Sequence, residues 1–262
     1  MDRLTNRRRK EIASLAQRKY RKRLNQTLVE GRRGVDAALE AGAPLTEIVV
    51  THEAYEEPAI QALCDRAAVP VYAVSAQSVA DLSDVRTSQG ILAVVERAFV
   101  AEDALPGMLA DTASVLVLDG VQDPGNVGTM LRTAAWFGAE ALVAGPGTAG
   151  LYGPKVMRAA AGGHWDVRLT RSDDLSALLG RLQHAGVTLY GADMQGTRAG
   201  RWVPARPSAL VMGSEAHGLS DDVQARIHDV VALPGRPRRS GAESLNVAVA
   251  AGILVYEWIG QG

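Results

Sequence analysis

The stretch DPGNVGTMLRTAAWFGA, residues 123–139, follows the apolar run 115–118 and its closing Asp119. An apolar run, a glycine-bearing loop and then a helical pattern describe a strand–loop–helix unit of the kind that binds nucleotides. The loop fits neither common nucleotide fingerprint. A phosphate-cradling loop of the Gly-x-x-x-x-Gly-Lys-Ser/Thr type needs a lysine that is absent here. A dinucleotide loop needs Gly-x-Gly-x-x-Gly, whereas the glycines stand at Gly120, Gly125 and Gly128. What remains is a helix opening near Asn126, a good cap residue, and stopping at Gly138. Val127, Leu131, Ala134 and Ala135 supply its buried face. Arg132 falls outside that set and can look back toward the loop. Cap and surface charge are the plain readings of Asn126 and Arg132; an amide and a guanidinium at a strand's mouth also suit a polar substrate.

Outward from this unit, short apolar runs alternate with helical patterns. Strands are expected at 47–51, 69–74 and 91–95, with helices at 58–66 and 76–82, giving an α/β unit of about a hundred residues. The pattern lapses over 98–112, as a linker or as a helix and turn. A second series then places strands at 115–118, 141–144, 167–169, 188–190, 210–212 and 230–232, and a long final helix at 243–258. Strands alternating with helices imply a mainly parallel sheet covered on both faces, whose ligands lie beyond the strands' carboxyl ends. Three loops at that edge are rich in glycine and polar residues: 120–128, 213–219 and 234–246.

The bulk numbers bound the class. The 262 residues are 47% hydrophobic and 22% charged, with a net charge of −1, as expected for a globular protein with a full core. The single Cys64 excludes a disulfide framework and any cysteine-based zinc cluster and suits a reducing cytoplasm; no metal is expected. No apolar run is long enough to span a bilayer, and the N-terminus lacks the apolar segment of a secretory signal. The near-zero net charge hides a strong asymmetry. Arg7, Arg8, Arg9, Lys10, Arg18, Lys19, Arg21, Lys22 and Arg23 crowd the first 25 residues, with Arg32 and Arg33 close behind. Such a cluster is either a solvated tail or a contact for nucleic-acid phosphates.

The second loop, LVMGSEAHGLS (210–220), repeats the design of the first: apolar residues end at Gly213, and Ser214 and Glu215 open a turn. Glu215 could cap the next helix or hold an arginine across the sheet edge. His217 has no evident nucleophile or metal partner for general-base work. In the third, ALPGRPRRSGAESLNVAVAAGILVYEW (232–258), Ser244 and Asn246 head a helix of small residues that lets a backbone or a flat ligand approach.

Together the three loops resemble the SpoU (TrmH-like) ribose 2′-O-methyltransferases of the SPOUT class. The Asn-x-Gly-x-x-x-Arg core is matched by Asn126, Gly128 and Arg132. Gly-x-Glu-x-x-Gly is matched by Gly213, Glu215 and Gly218, and the Ser-Leu-Asn of the third motif by Ser244, Leu245 and Asn246. The resemblance covers roughly 112–260. Residues 28–50 look like the opening of the L30e-like RNA-binding domain that many of these enzymes carry. It implies a basic arm over 1–25, an L30e-like domain over 26–98, a linker over 99–112 and the methyltransferase domain over 113–262.

The implied fold is an α/β knot with a mainly parallel sheet, which periodicity alone cannot reveal. The implied cofactor is S-adenosylmethionine, surrounded by Met212, Gly213, Leu233, Pro234, Ser244 and Leu245. The catalytic set would be Arg132, Asn126, Glu215, Ser244 and Asn246. A guanidinium stays charged across the physiological range. Arg132 is therefore expected to clamp the ribose and its phosphate, fixed by Glu215 and Asn126, with proton loss concerted with methyl transfer. Arg32, Arg33, Lys155 and Arg158 are the expected RNA contacts. The partners implied are RNA, with 23S rRNA favoured over tRNA, and a second copy of the chain docked through the final helix. Two departures stand out: Arg236, Arg238 and Arg239 in a longer loop, and His164 and Trp165 where apolar residues are expected. An RNA-binding protein on an inactive fold would have lost some of Asn126, Arg132, Glu215 and Ser244, and all four are present. A nicotinamide or nucleotide enzyme fails on the glycine spacing.

Overall fold

Two series of alternating strands and helices become two compact units in the computed structural model, which describes residues 4–83, 88–235 and 244–260. The first unit runs to Ala98 and also holds Tyr152–Trp165; the second holds Phe99–Leu151 and the chain from Asp166 onward.

In the first unit the order is α1 (Asn6–Ser14), α2 (Arg18–Leu24), β1 (Gln26–Glu30), α3 (Arg32–Glu40), β2 (Leu45–Thr51), α4 (His52–Tyr55), α5 (Pro58–Arg66), β3 (Val71–Val74), α6 (Ala76–Leu82) and β4 (Ile91–Glu96). The sheet order is β1-β4-β2-β3, with β4 antiparallel to β1 and β2, and β3 parallel to β2. The basic stretch at the start is not a free arm. Thr5 caps α1 by accepting the Arg8 N–H at 3.2 Å, and Ile12 and Leu15 are buried among Leu28, Val49, Leu92 and Val94. Arg8 turns inward: Nε donates to Glu47 at 2.7 Å, Nη1 to Glu11 at 3.0 Å and Nη2 to Gln26 at 3.0 Å. Burial disfavours its charge, but the bonds to Glu47 and Glu11 outweigh this and raise its pKa. Arg21, also buried, donates to the Leu15 and Ala16 carbonyls. Two of the nine clustered bases are thus structural, while Arg7, Arg9, Lys10, Arg18, Lys19, Lys22 and Arg23 remain exposed.

The segment Tyr152–Trp165 joins this unit through Tyr152. Its carbonyl accepts from Thr27 Oγ1 at 2.9 Å, and its hydroxyl donates to the Ala98 carbonyl at 2.8 Å while accepting the Ala98 N–H at 3.2 Å. Burial pushes the Tyr152 hydroxyl up to about 12, keeping it a neutral donor. His164 is buried against the rings of Tyr152 and Trp165, which explains a polar residue at an expected apolar position.

The second unit contains β5 (Ser114–Leu118), α7 (Pro124–Trp136), β6 (Ala141–Ala144), β7 (Arg168–Arg171), α9 (Leu175–His184), β8 (Thr188–Asp193), β9 (Thr197–Arg198), β10 (Ser208–Met212), α10 (Asp221–Gln224), β11 (Asp229–Ala232) and α11 (Val247–Ile259); the helix Pro154–Ala160 of the first unit is α8. The sheet order is β7-β6-β5-β10-β8-β11-β9, and every described pairing is parallel. Every residue of the central strands β5 and β10 is buried, as expected when helices cover both faces. The stretch expected as a linker folds into this unit. Leu105, on a single 3-10 turn, is fully buried in its core, and the Val100 N–H bonds the Leu169 carbonyl at 2.8 Å. The strand expected at 167–169 begins one residue later and extends to Arg171.

Candidate active site

The helix after β5 begins earlier than its cap signal suggested. Asp123, not Asn126, is the N-cap of α7: its Oδ1 accepts the Asn126 N–H at 2.9 Å, and Pro124 takes the first helical position. The Asn126 side chain is thereby released from local capping. Asn126 Nδ2 donates to Glu215 Oε1 at 2.7 Å, and its Oδ1 accepts from Asn246 Nδ2 at 3.1 Å. Asn246 is a cap: its Oδ1 accepts the N–H groups of Ala248 and Val249 at 2.9 and 3.2 Å, starting α11. The amide orientations are mutually fixed. Backbone donors claim the Asn246 oxygen, its amine must then meet the Asn126 oxygen, and the Asn126 amine faces a carboxylate that can only accept. One residue from each of the three loops enters this chain.

Glu215 is held by an asparagine, where an arginine or a helix cap was expected. Ser220 is the N-cap residue of α10, and its N–H donates to Asp119 Oδ2 at 2.7 Å, tying the loop after β10 to the end of β5. Within the 213–218 loop, Ser214 and Gly218 exchange both backbone bonds, at 2.9 and 3.0 Å. A Cβ on Gly213 would lie 2.2 Å from the Gly218 carbonyl carbon, so only glycine permits this turn. His217 is exposed, and its backbone N–H donates to Ser214 Oγ at 3.1 Å.

Above these loops lies a cavity of about 670 Å³ at the carboxyl ends of β8, β10 and β11. Of the residues expected at the cofactor, Met212, Gly213, Leu233, Ser244 and Leu245 line it; Pro234 does not. Glu215 and Asn246 line it too, so the hydrogen-bond chain forms part of its wall. Sequence reading missed Ala192, Asp193 and Met194, which close one side. The available signal was the position of Asp193 at the end of β8, just before a glycine-bearing loop. Arg132 is exposed on α7, outside the cavity lining, and makes no hydrogen bond or ion pair with the described residues. Its expected tether to Glu215 and Asn126 is therefore absent among the described residues; those two groups bond each other.

In the first unit, Arg32, Arg33, Lys155 and Arg158 are exposed. Arg158 lies 3.8 Å from Glu30. Arg236, Arg238 and Arg239 fall outside the described residues. Among the described residues, no helix is long and apolar enough to cross a bilayer.

A parallel sheet with a ligand-sized cavity at the carboxyl ends of its strands defines an α/β ligand-binding protein. Comparison with known proteins narrows it further: the chain belongs to the SpoU rRNA methylase family, whose model matches residues 113–256. Residues 6–93 match the MRM3-like substrate binding domain. Over 250 residues, covering 94% of each chain, it is 34% identical to RlmP of Bacillus subtilis, a 23S rRNA guanosine 2′-O-methyltransferase. It is 32% identical to RlmB of Bordetella pertussis, a 23S rRNA (guanosine-2′-O-)-methyltransferase, over 75% of this chain and 80% of that one. A TrmH-family protein from Porphyromonas gingivalis superposes with a TM-score of 0.85 at 32% identity, with both chains fully covered. AviRb of Streptomyces viridochromogenes, solved with its cofactor AdoMet, has a TM-score of 0.86 at 24% identity and covers 98% of each chain, a likeness of fold.

Proposed function

We propose that this protein methylates a ribose 2′-hydroxyl of 23S rRNA, using S-adenosylmethionine held in the cavity beside β8, β10 and β11. The observation that carries this reading is the chain Glu215–Asn126–Asn246, which joins three separate loops at the wall of that cavity. The relatives' activities on 23S rRNA support the choice of substrate.

The lining suits the cofactor. Met212, Leu233, Leu245 and Leu254 offer apolar surface to a flat base, and Asp193, at the rim, offers a carboxylate to ribose hydroxyls. When bound, S-adenosylmethionine supplies an electrophilic methyl on a sulfonium centre. The chain's own residues must orient the alcohol and dispose of its proton. Arg132, exposed and uncommitted among the described residues, clamps the ribose and the adjacent phosphate. Ser244, exposed on the cavity lining, hydrogen-bonds near the reacting oxygen. Asn126 and Glu215 hold the loop after β10 against the head of α7, and Asn246 ties both to α11. The exposed bases of α1 and α2, with Arg32, Arg33, Lys155 and Arg158, contact RNA phosphates.

The knotted threading of the C-terminal segment belongs to the same reading, as does a homodimer. Val249, Ile253 and Tyr256 form an exposed apolar stripe at positions i, i+4 and i+7 of α11; on α7, Trp136 is 82% exposed. A second copy of the chain would cover this face. A cytoplasmic location belongs to the same reading.

Transfer of labelled methyl from S-adenosylmethionine to separated rRNA and tRNA pools, followed by digestion to nucleosides, tests the proposal. Label is expected in a 2′-O-methylnucleoside of 23S rRNA. Label in tRNA would change the substrate. Label on a base would remove the ribose clamp, and absence of both label and cofactor binding would overturn the enzyme.

A further inference from the structure

A second cavity, of about 180 Å³, lies wholly within the first unit and plays no part in the chemistry above. It sits where the end of β1, the start of α3 and the 152–165 segment meet, and its lining includes Glu30, Arg33, Gln89, Met157, Arg158 and Trp165. Four features of this lining point to one kind of ligand. The Glu30 side chain is only 9% exposed, takes a hydrogen bond from Ser83 Oγ and lies 3.8 Å from Arg158 Nη1. Both oxygens of a carboxylate accept hydrogen bonds, and each has more than one lone pair. Gln89 Oε1 accepts the Arg32 N–H at 3.0 Å, which makes its Nε2 a donor. Trp165 and Met157 supply a flat ring and a polarisable chain for stacking. Arg33, exposed in the first turn of α3, adds a cation where the helix N-terminus already favours an anion. Gly31, also in the lining, leaves room for Gln89: its φ is +83°, and a Cβ there would lie 2.9 Å from Gln89 Oε1.

We propose that this cavity takes one unstacked guanine nucleotide of the RNA substrate, its base read by Glu30 and its phosphate held by Arg33 and Arg158. Guanine is the base whose Watson–Crick edge carries two adjacent N–H donors, N1–H and N2–H, to meet a carboxylate's two oxygens. Adenine offers a donor beside an acceptor lone pair that a carboxylate repels. Proteins that read RNA sequence do so on bases splayed out of single-stranded loops and stacked on aromatic side chains, which is the arrangement this lining allows. The inference rests on the reading of the chain as an RNA methyltransferase, and it places sequence recognition in the first unit, apart from the reacting nucleotide.

The test uses the full chain and uridine heptamers carrying one central guanine or one central adenine, with affinity followed by fluorescence anisotropy. The unmodified protein is expected to hold the guanine oligomer about tenfold tighter than the adenine oligomer. Glu30→Gln is expected to erase that preference, and Arg33→Ala to weaken both oligomers alike and flatten the salt dependence. With rRNA, Glu30→Gln should raise KM while leaving kcat and the affinity for S-adenosylmethionine unchanged. Equal binding of the two oligomers by the unmodified protein would overturn the proposal. So would a preference that survives Glu30→Gln, or one that Glu215→Gln abolishes instead. Unfolding of Glu30→Gln is monitored by its melting temperature; if that variant fails to fold, the guanine-over-adenine preference of the unmodified protein remains the deciding measurement. Because the binding readout needs no turnover, its failure is distinct from failure of methyl transfer.

Discussion

An asparagine in the first turn of a helix ordinarily competes for backbone donors. Asn126 does not, because Asp123 and Pro124 already complete the helix start, and its amide reaches Glu215 and Asn246 instead. Asn126→Ala would leave Glu215 and Asn246 without a shared partner and let the loop after β10 drift from α7. Methyl transfer should fall on the order of a hundredfold, since displacements of about an ångström near a reacting group have that effect. Steady-state kinetics would show it; unchanged kcat would mean the chain is only a structural tie. Arg132 makes the contrasting case. It supports nothing among the described residues, so Arg132→Ala should leave the melting temperature and S-adenosylmethionine affinity nearly intact while lowering kcat by about two to three orders of magnitude. Loss of cofactor binding alongside turnover would reassign it as structural.

Helix α1 shows how composition misleads at the scale of an element. Its run of arginines reads as a solvated arm, yet Ile12 and Leu15 are buried and Arg8 is spent on Glu47, Glu11 and Gln26. Truncating Leu15 to alanine should destabilise the protein by about 2–5 kcal/mol, the usual range for emptying a full leucine site. Denaturant unfolding would reveal this, and a variant as stable as the parent would restore the arm. The charge count identified the bases, but not which were already paired inside the fold. Elsewhere the elements were largely legible. The helices expected at 58–66 and 76–82 appear with those bounds, and the strand at 141–144 likewise. Proline at a first turn, serine at a cap and a strict apolar run are local signals, so local sequence suffices. The start of α11 was less legible: the helix expected from 243 begins at Val247, and of the two cap candidates, Ser244 and Asn246, the bonds to Ala248 and Val249 single out Asn246.

For the molecule as a whole, the apolar stripe of Val249, Ile253 and Tyr256 bears on assembly. Ile253→Glu places a charge in a face that we propose to be covered by a second copy. Light scattering should then show a monomer where the parent protein is a dimer, with methyl transfer reduced as well. A parent protein that is itself monomeric would remove the dimer from the proposal.

The sequence by itself determined the reaction class. Asn126, Arg132, Glu215, Ser244 and Asn246 follow one another in an order that motif chemistry can recognise, and the alternation of strands and helices is written in local periodicity. Only the tertiary structure decided how these groups meet. The Asn126–Glu215 and Asn126–Asn246 bonds span 89 and 120 residues. No local pattern encodes such pairings, because they depend on which strands lie side by side in the sheet. The same holds for Tyr152–Trp165, which lies between strands of the second unit in sequence but is secured to the first by Thr27 and Ala98. Local propensity sets where elements begin and end, whereas hydrogen bonds and burial between distant segments set which polar groups are spent on folding and which remain for chemistry.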